Sequence, residues 1–589
     1  MQVIVMGAGV VGVTTAWYLH QAGHEVTVLE RNRGAACETS FGNGGQISVS
    51  HAEPWANPSA PLKLLKWLGR EDAPLLFRLR ADPAQWRWGL QFLRECSAVR
   101  TRHNMLQLIN LGTYSRASLQ ALREETGIQY DHLTKGIMHF YTSQKDFDEA
   151  LEPARIMQEM GVVREIITPD RVVEIEPALA SARNQLAGAT FTPADESGDV
   201  NLFTTRLAAL AAEKGVKFRY GVRIQKLLVA GGEMQGVELA DEHGQYEVAK
   251  ADAYVLALGS FSAGLAHDIG IRLDIYPAKG YSATLPVLDP ARAPQVSLTD
   301  DEYKLVYSRF GNRLRVAGTA ELNGYGMALN PVRCEALVKR TLALFPGVSD
   351  PKQAKFWTGL RPTTPGNAPY IGRSRVGGLF LNTGHGTLGW THGCGSGRAL
   401  AELMSGRRPD VDFQFSGWAG PDVPTASGAE TAGQAASGAL ALLPAGTQGA
   451  DQQHQQGTAH LGDVLDLRLP GTDVVGHGRV GNQHAPGNPS QQHAADGDDD
   501  GEAVHQPDDH LAAPDDDGHA DQQAEDHQRD LMMTAHALRS TGNGDHVVDA
   551  HHQVCDDDGT HRHPQLVRTG DVAVCVLFLG QQQLDADPQ

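Results

Sequence analysis

Three groups of residues have types and spacing that could do chemistry. The first is Gly7, Gly9 and Gly12 in the opening MQVIVMGAGVVG. They follow the apolar run Val3-Ile4-Val5 and lead into a helical stretch, after which Val26, Val28 and Leu29 form a second apolar run ending at Glu30. In such a strand–turn–helix–strand unit the first glycine permits the tight turn and the second lets backbone approach a pyrophosphate. The third lets the helix pack close to the strand. Free N–H groups at the helix start attract phosphate oxygens, and Glu30 stands where an acid accepts hydrogen bonds from both hydroxyls of an adenosine ribose. The spacing predicts a dinucleotide site built on Val3, Ile4, Val5, Met6, Gly7, Ala8, Gly9, Val10, Val11, Gly12, Val13, Thr14, Thr15, Ala16 and Trp17, with Glu30 and Arg31. A glycine-rich turn in some other α/β protein is the alternative.

The second group is the polar, glycine-rich stretch Glu38–Gln46, containing Ser40, Gly45 and Gln46. It is placed to fold over a pyrophosphate or a redox ring, or else it is a plain surface loop. Gly259 ends the apolar run that starts at Asp252, which suggests a second backbone approach to the same nucleotide. The third group is Thr383-Gly384-His385-Gly386-Thr387, where another apolar run enters a glycine turn ahead of a helix expected to start near Cys394–Ser396. That turn suits a second anionic or hydroxyl-rich part of one extended ligand. Arg361, in a proline-punctuated loop, could clamp a carboxylate bidentately or serve a structural ion pair. Glycine turns at several separate places suit a tightly held FAD better than an exchangeable NAD.

The positioning elements follow from composition and period. The full chain has 589 residues and net charge −20. Through Ser416 it holds 42 acids and 44 Lys/Arg, whereas Gly417–Gln589 holds 28 acids, six arginines and no Lys, Tyr or Ile. The acidity therefore belongs to the tail, and the body has no charge bias that would mark a nucleic-acid partner. Residues 417–589 are read as a low-complexity, disordered segment or a frameshift product beginning near Gln414, with loose metal chelation by His and Asp but no defined metal site. No window is apolar enough to cross a membrane, no signal peptide is evident, and scattered cysteines suit reduced cytosolic thiols. Cys394 reads as a small packing residue in a glycine-rich turn. Residues 62–126 are helical in pattern, with Trp55, Trp67, Trp86 and Trp88 as packing residues rather than a binding cage. Alternation through Tyr276–Leu285, Tyr303–Tyr307 and Leu314–Ala317 predicts an antiparallel sheet whose face, carrying Tyr281, Tyr303, Tyr307 and Arg309, could line a small-molecule pocket.

Five ordered motifs together resemble the bacterial D-amino acid dehydrogenase small subunits, within the D-amino acid oxidase-like flavoproteins. They are the opening fingerprint with Glu30, Thr39-Ser40 through Asn43-Gly44-Gly45-Gln46-Ile47-Ser48, Tyr276-Pro277 through Lys279-Gly280-Tyr281-Ser282, Trp357 through Arg361 to Pro365, and Asn382 through His385 to Trp390-Thr391. The resemblance covers about residues 1–413. It implies a Rossmann-like FAD-binding domain, built from about 1–60, 190–265 and 355–410, with a mixed-sheet α+β substrate domain from about 61–189 and 266–354. It also implies FAD as cofactor and oxidative deamination of D-amino acids such as D-alanine. Arg361 would then hold the carboxylate, Tyr281 would be a secondary substrate contact, and His385 would sit beside the flavin. Electrons would pass to a quinone or another carrier, with the protein cytoplasmic or peripheral on the inner face of the membrane. The body shows no evident amphipathic or basic patch, so that placement rests on the resemblance alone. A glycine- or sarcosine-type oxidase using oxygen, or an inactive FAD-binding protein, are the rival readings. Gly366-Asn367 stands where the family usually has Asp-Gly, which should preserve the turn.

Overall fold

The computed structural model describes residues 1–67, 71 and 73–417, together with the backbone of 567–569 and 572–574, which pair as two short antiparallel strands. The expectations of disorder, frameshift and loose chelation for the C-terminal segment otherwise lie outside the described residues.

Strand β1 (Gln2–Met6), helix α1 (Val10–Gln21) and strand β2 (Glu25–Leu29) form as their periods predict. They belong to a six-stranded sheet ordered Tyr370–Arg373, Leu379–Thr383, Ala253–Leu256, β1, β2 and Lys217–Arg219, parallel except for its first strand. Because side chains alternate across a strand and both faces are covered, the runs are continuously apolar. Val3, Val5, Val26, Val28 and Val255 enter one core with α1, while Ile4, Met6, Leu29, Tyr254 and Leu256 enter another. A three-stranded antiparallel layer, Arg223–Ala230, Glu233–Ala240 and Tyr246–Ala249, covers the second face through Leu227, Val237 and Leu239.

A second sheet has nine strands and is mixed. Lys355–Thr363, Tyr276–Pro286, Arg313–Leu322, Leu305–Phe310 and Ser297–Asp300 are antiparallel neighbours; Ile137–Tyr141 pairs parallel to the last of these and leads on to Gly188–Thr192 and Glu165–Ile167. Leu75–Phe77 pairs with the Arg313–Leu322 strand. Helix Pro331–Leu344 covers one face with Leu337 and Leu344.

Three sequence expectations need correction. The helix near Cys394 runs from Gly389 to Met404, so the glycines and Cys394 lie inside a helix and not in a turn. Gly393 and Gly397 let α1 approach closely, and Gly395 admits the helix Ala98–Thr126. That long helix, assigned by sequence to the substrate segment, contributes Leu111, Leu119 and Leu122 to the core beneath the first sheet. The strand carrying Arg361, assigned to the nucleotide segment, pairs instead with Tyr276–Pro286 of the second sheet.

Candidate active site

A cavity of about 750 Å³ is lined by residues from both sheets. Its first end is the glycine turn. Gly7 adopts φ +106°, and a Cβ on Gly12 would fall 1.9 Å from the Gly7 carbonyl oxygen, so that glycine is demanded by contact between helix and turn. Gly9 caps α1 with no side-chain cap, and the Val10 N–H donates to Ser40 Oγ at 3.1 Å. Glu30 Oε2 accepts from the Ala8 N–H at 2.9 Å, and Oε1 accepts from the Asn32 N–H at 2.9 Å and Nδ2 at 2.8 Å. Burial pushes its pKa up against these bonds. Arg31 pairs with Glu38 and stacks 4.0 Å over the Phe261 ring.

The loop after β2 is fastened at two points. Gln46 Nε2 donates to Ser297 Oγ at 3.1 Å and to the Leu298 carbonyl at 3.2 Å. Asp195 accepts from the N–H groups of Val49 and Ser50 and from Ser50 Oγ, and is itself paired with Arg116. Gly7, Gly9, Val10, Val11, Glu30, Arg31, Ser40, Gln46, Gly259, Gly384, His385, Gly386 and Thr387 all border the cavity. Val3, Ile4, Val5, Met6, Ala8, Gly12, Val13, Thr14, Thr15, Ala16, Trp17 and Gly45 do not; they build the strand, the helix and its packing, and Gly45 lies against the Phe310 ring. Trp55 and Trp67, expected only to pack, also border the cavity, whereas buried Trp88 donates its indole N–H to the Thr363 carbonyl.

At the other end, Arg361 Nη1 donates to the Thr319 carbonyl at 3.0 Å. Its guanidinium lies over Gly280, where a Cβ would sit 2.1 Å from Nη1. Among the described residues no carboxylate pairs with it, and burial alone pulls its pKa down to about 10. A desolvated cation without a counter-charge is costly unless an anion completes it. His385 is buried with its Nε2 unpartnered, and burial, with His392 nearby, lowers its pKa to about 3, so the ring is neutral. Asn367 stands at φ +66° and its Oδ1 accepts from the Trp55 N–H, so in this chain an asparagine fills the left-handed position of the turn.

Tyr281 borders the cavity, but its hydroxyl is engaged by a buried carboxylate rather than free for substrate. It is 1% exposed, its hydroxyl donates to Glu321 Oε2 at 2.6 Å, and its ring packs with Leu337 beside Arg333. Period two explains this: Gly280 faces Arg361, so its neighbour Tyr281 faces the covering helix. Tyr307 is likewise core, Tyr303 is exposed, and Arg309 donates to the carbonyls of Gly311 and Pro290, so these three do not line the cavity. Sequence reasoning missed His51, Glu53, His139, Asp301 and Lys304, which also border it. They come from separated loops and strands, and only the acid run Asp300-Asp301-Glu302 between two apolar strands hinted at a special turn.

The model of the FAD-dependent oxidoreductase family matches residues 2–403. The chain belongs to that family. It is 57% identical over 415 residues to D-amino acid dehydrogenase of Dechloromonas aromatica (strain RCB), a match covering 70% of this chain and 99% of the relative. It is 54% identical over 418 residues to D-amino acid dehydrogenase of Paramagnetospirillum magneticum (strain ATCC 700264 / AMB-1), covering 71% and 98%. Among solved structures, glycine oxidase from Bacillus cereus ATCC 14579 superposes with TM-score 0.52 at 22% identity, covering 69% of this chain and 97% of that one. L-proline dehydrogenase from P. horikoshii gives 0.54 at 18% identity, covering 68% and 92%. These likenesses show the shared fold. Gly9 and Val10 at the start of α1, Glu30 at the end of β2 and the buried His385 border one continuous cavity, a lining that fits the FAD of this family.

Proposed function

We propose that this FAD-dependent oxidoreductase converts D-amino acids, such as D-alanine, to 2-oxo acids and ammonium. The unpaired Arg361 guanidinium in the cavity carries this reading, because it offers a single positive charge to an α-carboxylate. The N-terminus of α1 and Glu30 would hold the dinucleotide's pyrophosphate and ribose, and the Gly384–Thr387 turn its far end. FAD, when bound, would supply the acceptor for the hydride of the substrate Cα, the substrate amine having given up its ammonium proton to solvent. Arg361 fixes the carboxylate, and the Thr319 carbonyl fixes Arg361. A neutral His385 keeps extra charge away from the reacting carbon. Orientation in a water-poor site then supplies most of the rate. The imino acid formed hydrolyses to products.

Electrons leave to a quinone or similar carrier, with the protein peripheral on the inner membrane face. Support for this lies in a surface the sequence did not reveal. Leu62 and Leu65 on helix Ala60–Trp67, and Trp86, Leu90 and Leu93 on helix Pro83–Glu95, are all exposed at helical spacing, with Lys66 and Arg94 beside them. Apolar stripes flanked by cations suit an anionic lipid surface. No helix among the described residues is long and apolar enough to cross a membrane.

Anaerobic addition of D-alanine to the purified yellow protein is the test. Bleaching with D-alanine but not with L-alanine or glycine is the expected result. Bleaching by glycine with peroxide release in air would favour an oxidase, and no bleaching with any D-amino acid would sink the reading.

A further inference from the structure

The exposed apolar face lies on the outer side of elements whose inner side is cavity wall. On helix Ala60–Trp67, Leu62 and Leu65 face outward, while Ala60, Leu64 and Trp67 border the cavity. On helix Pro83–Glu95, Trp86, Leu90 and Leu93 face outward, while Phe92 borders the cavity. Ala60, Leu64, Phe92 and Leu75 pack in one apolar cluster, so the two helices and the strand Leu75–Phe77 make a single wall. That wall reaches the end of the cavity that holds Arg361. Leu75 pairs with Ala320, whose N–H donates to the Pro74 carbonyl at 2.8 Å, and the residue before it, Thr319, accepts from Arg361.

Two observations say what covers the outer side. The apolar face continues beyond the helices onto the loop 323–330, which exposes Tyr325, Met327 and Leu329. Arg80 joins the two parts: its Nη1 donates to Asn323 Oδ1 at 3.0 Å, and its carbonyl accepts from the Trp86 indole N–H at 2.9 Å. Soluble monomers rarely leave a contiguous apolar patch of this breadth without a partner. The face is also basic. Residues 60–103 hold nine Lys or Arg and four acids, whereas the body through Ser416 holds 44 and 42. Lys66, Arg80 and Arg94 are exposed and pair with no carboxylate among the described residues. Free cations interleaved with outward apolar side chains match the boundary of an anionic bilayer, which is apolar and negatively charged at once.

We propose that this face rests on an anionic bilayer, and that the apolar wall behind it admits a quinone from the lipid to the Arg361 end of the cavity. The inference rests on the peripheral, quinone-reducing reading above and adds to it the docking face and the way in. A quinone reduced there takes up two electrons and two protons, the equivalent of the hydride and amine proton given up by the amino acid, and leaves as the quinol.

Sedimentation of the full-length holoenzyme with phosphatidylglycerol vesicles, and with phosphatidylcholine vesicles, reads the docking. The protein should sediment with the first and not with the second. In Leu62→Glu/Leu65→Glu, and separately in Leu90→Glu/Leu93→Glu, affinity for the vesicles should fall about tenfold or more. D-alanine oxidation by a long-tailed quinone carried in the vesicles should fall in step, measured against the rate with a water-soluble dye. Leu64→Trp, which narrows the way in from the cavity side, should lower the same ratio while the protein stays on the vesicles. Absence of binding to phosphatidylglycerol, binding that survives both double variants, or a quinone-to-dye ratio that ignores all three variants would each overturn the proposal. So would a wild-type dimer that Leu62→Glu/Leu65→Glu dissociates, because a second copy would then cover the face. A short-tailed, water-soluble quinone separates this inference from the reading beneath it. Turnover with that quinone but not with the vesicle-borne one leaves the quinone reading standing and removes the way in, whereas no turnover with either removes both.

Discussion

Among the described residues Arg361 is a cation held by one carbonyl and no carboxylate, and its two costs point in opposite directions. Losing it should weaken substrate binding, since a charge-assisted bidentate contact contributes roughly 2–3 kcal/mol. Losing it should also relieve the ligand-free fold of an uncompensated buried charge. Arg361→Met is therefore expected to lower kcat/KM for D-alanine by about 100-fold while leaving the flavin bound and the melting temperature equal or higher. A lower melting temperature with normal kinetics would make Arg361 structural. Glu321 is the opposite case. Hydrogen bonds from Tyr281, Arg78 and Lys279 hold its carboxylate at about 2 against its burial. A depressed acid contributes stability that is present above its unfolded pKa and is lost as pH falls through the folded one. The network should thus weaken from about pH 4.5 down to about pH 2. Glu321→Gln, which strands Lys279, is expected to cost about 3 kcal/mol at neutral pH and to flatten the acid limb of stability against pH in denaturant titrations. At this scale Glu30 and the three glycines were legible because their signal is local. The reverse facing of Tyr281 was not, because it depends on which side of the strand the covering helix occupies.

At the scale of elements, the helix Gly389–Met404 shows why a glycine-rich segment misleads. Local chemistry reads Gly393, Gly395 and Gly397 as a turn, but packing decides otherwise. A Cβ on Gly395 would lie 2.6 Å from the Ser115 Cα, and one on Gly397 would lie 2.8 Å from the Thr15 nitrogen. Both obstacles are backbone and cannot give. On Gly393 the nearest atom is a Val10 methyl at 3.3 Å, which can shift. Alanine substitution should therefore rank by obstacle, with Gly395→Ala and Gly397→Ala costing roughly 1–3 kcal/mol and Gly393→Ala clearly less. Urea titration of the three variants checks the order, and equal effects would show that helix propensity and not contact governs. The strands of both sheets were legible from period two and from apolar runs. Their allocation was not, because the Arg361 strand pairs with residues some eighty positions earlier, and only tertiary register records that.

For the whole molecule, the change in composition after Ser416 was plain in the sequence, but its structural position was not. The chain is pinned up to that point. Asn110 Nδ2 donates to the Asp412 carbonyl, Phe413 enters the core, the Ser416 N–H donates to the Ile371 carbonyl at 2.7 Å, and the Arg373 N–H donates to the Ser416 carbonyl at 2.8 Å. These contacts tie the edge strand Tyr370–Arg373 to the long helix Ala98–Thr126. The match to the D. aromatica relative spans 415 residues and 99% of that protein, so the segment beyond has no counterpart there. A chain ending at Gly417 should retain its flavin content, its D-alanine rate and its unfolding free energy to within about 1 kcal/mol, because every contact just named survives. A chain ending at Asp410 loses the burial of Phe413 and the pairing through Ser416, and should be less stable by several kcal/mol, at about 3–5 for one buried aromatic side chain. Flavin absorbance and denaturant midpoints of the two truncations decide the matter. If the chain ending at Gly417 loses its flavin, the C-terminal segment supports the site in a way the contacts of the body do not reveal.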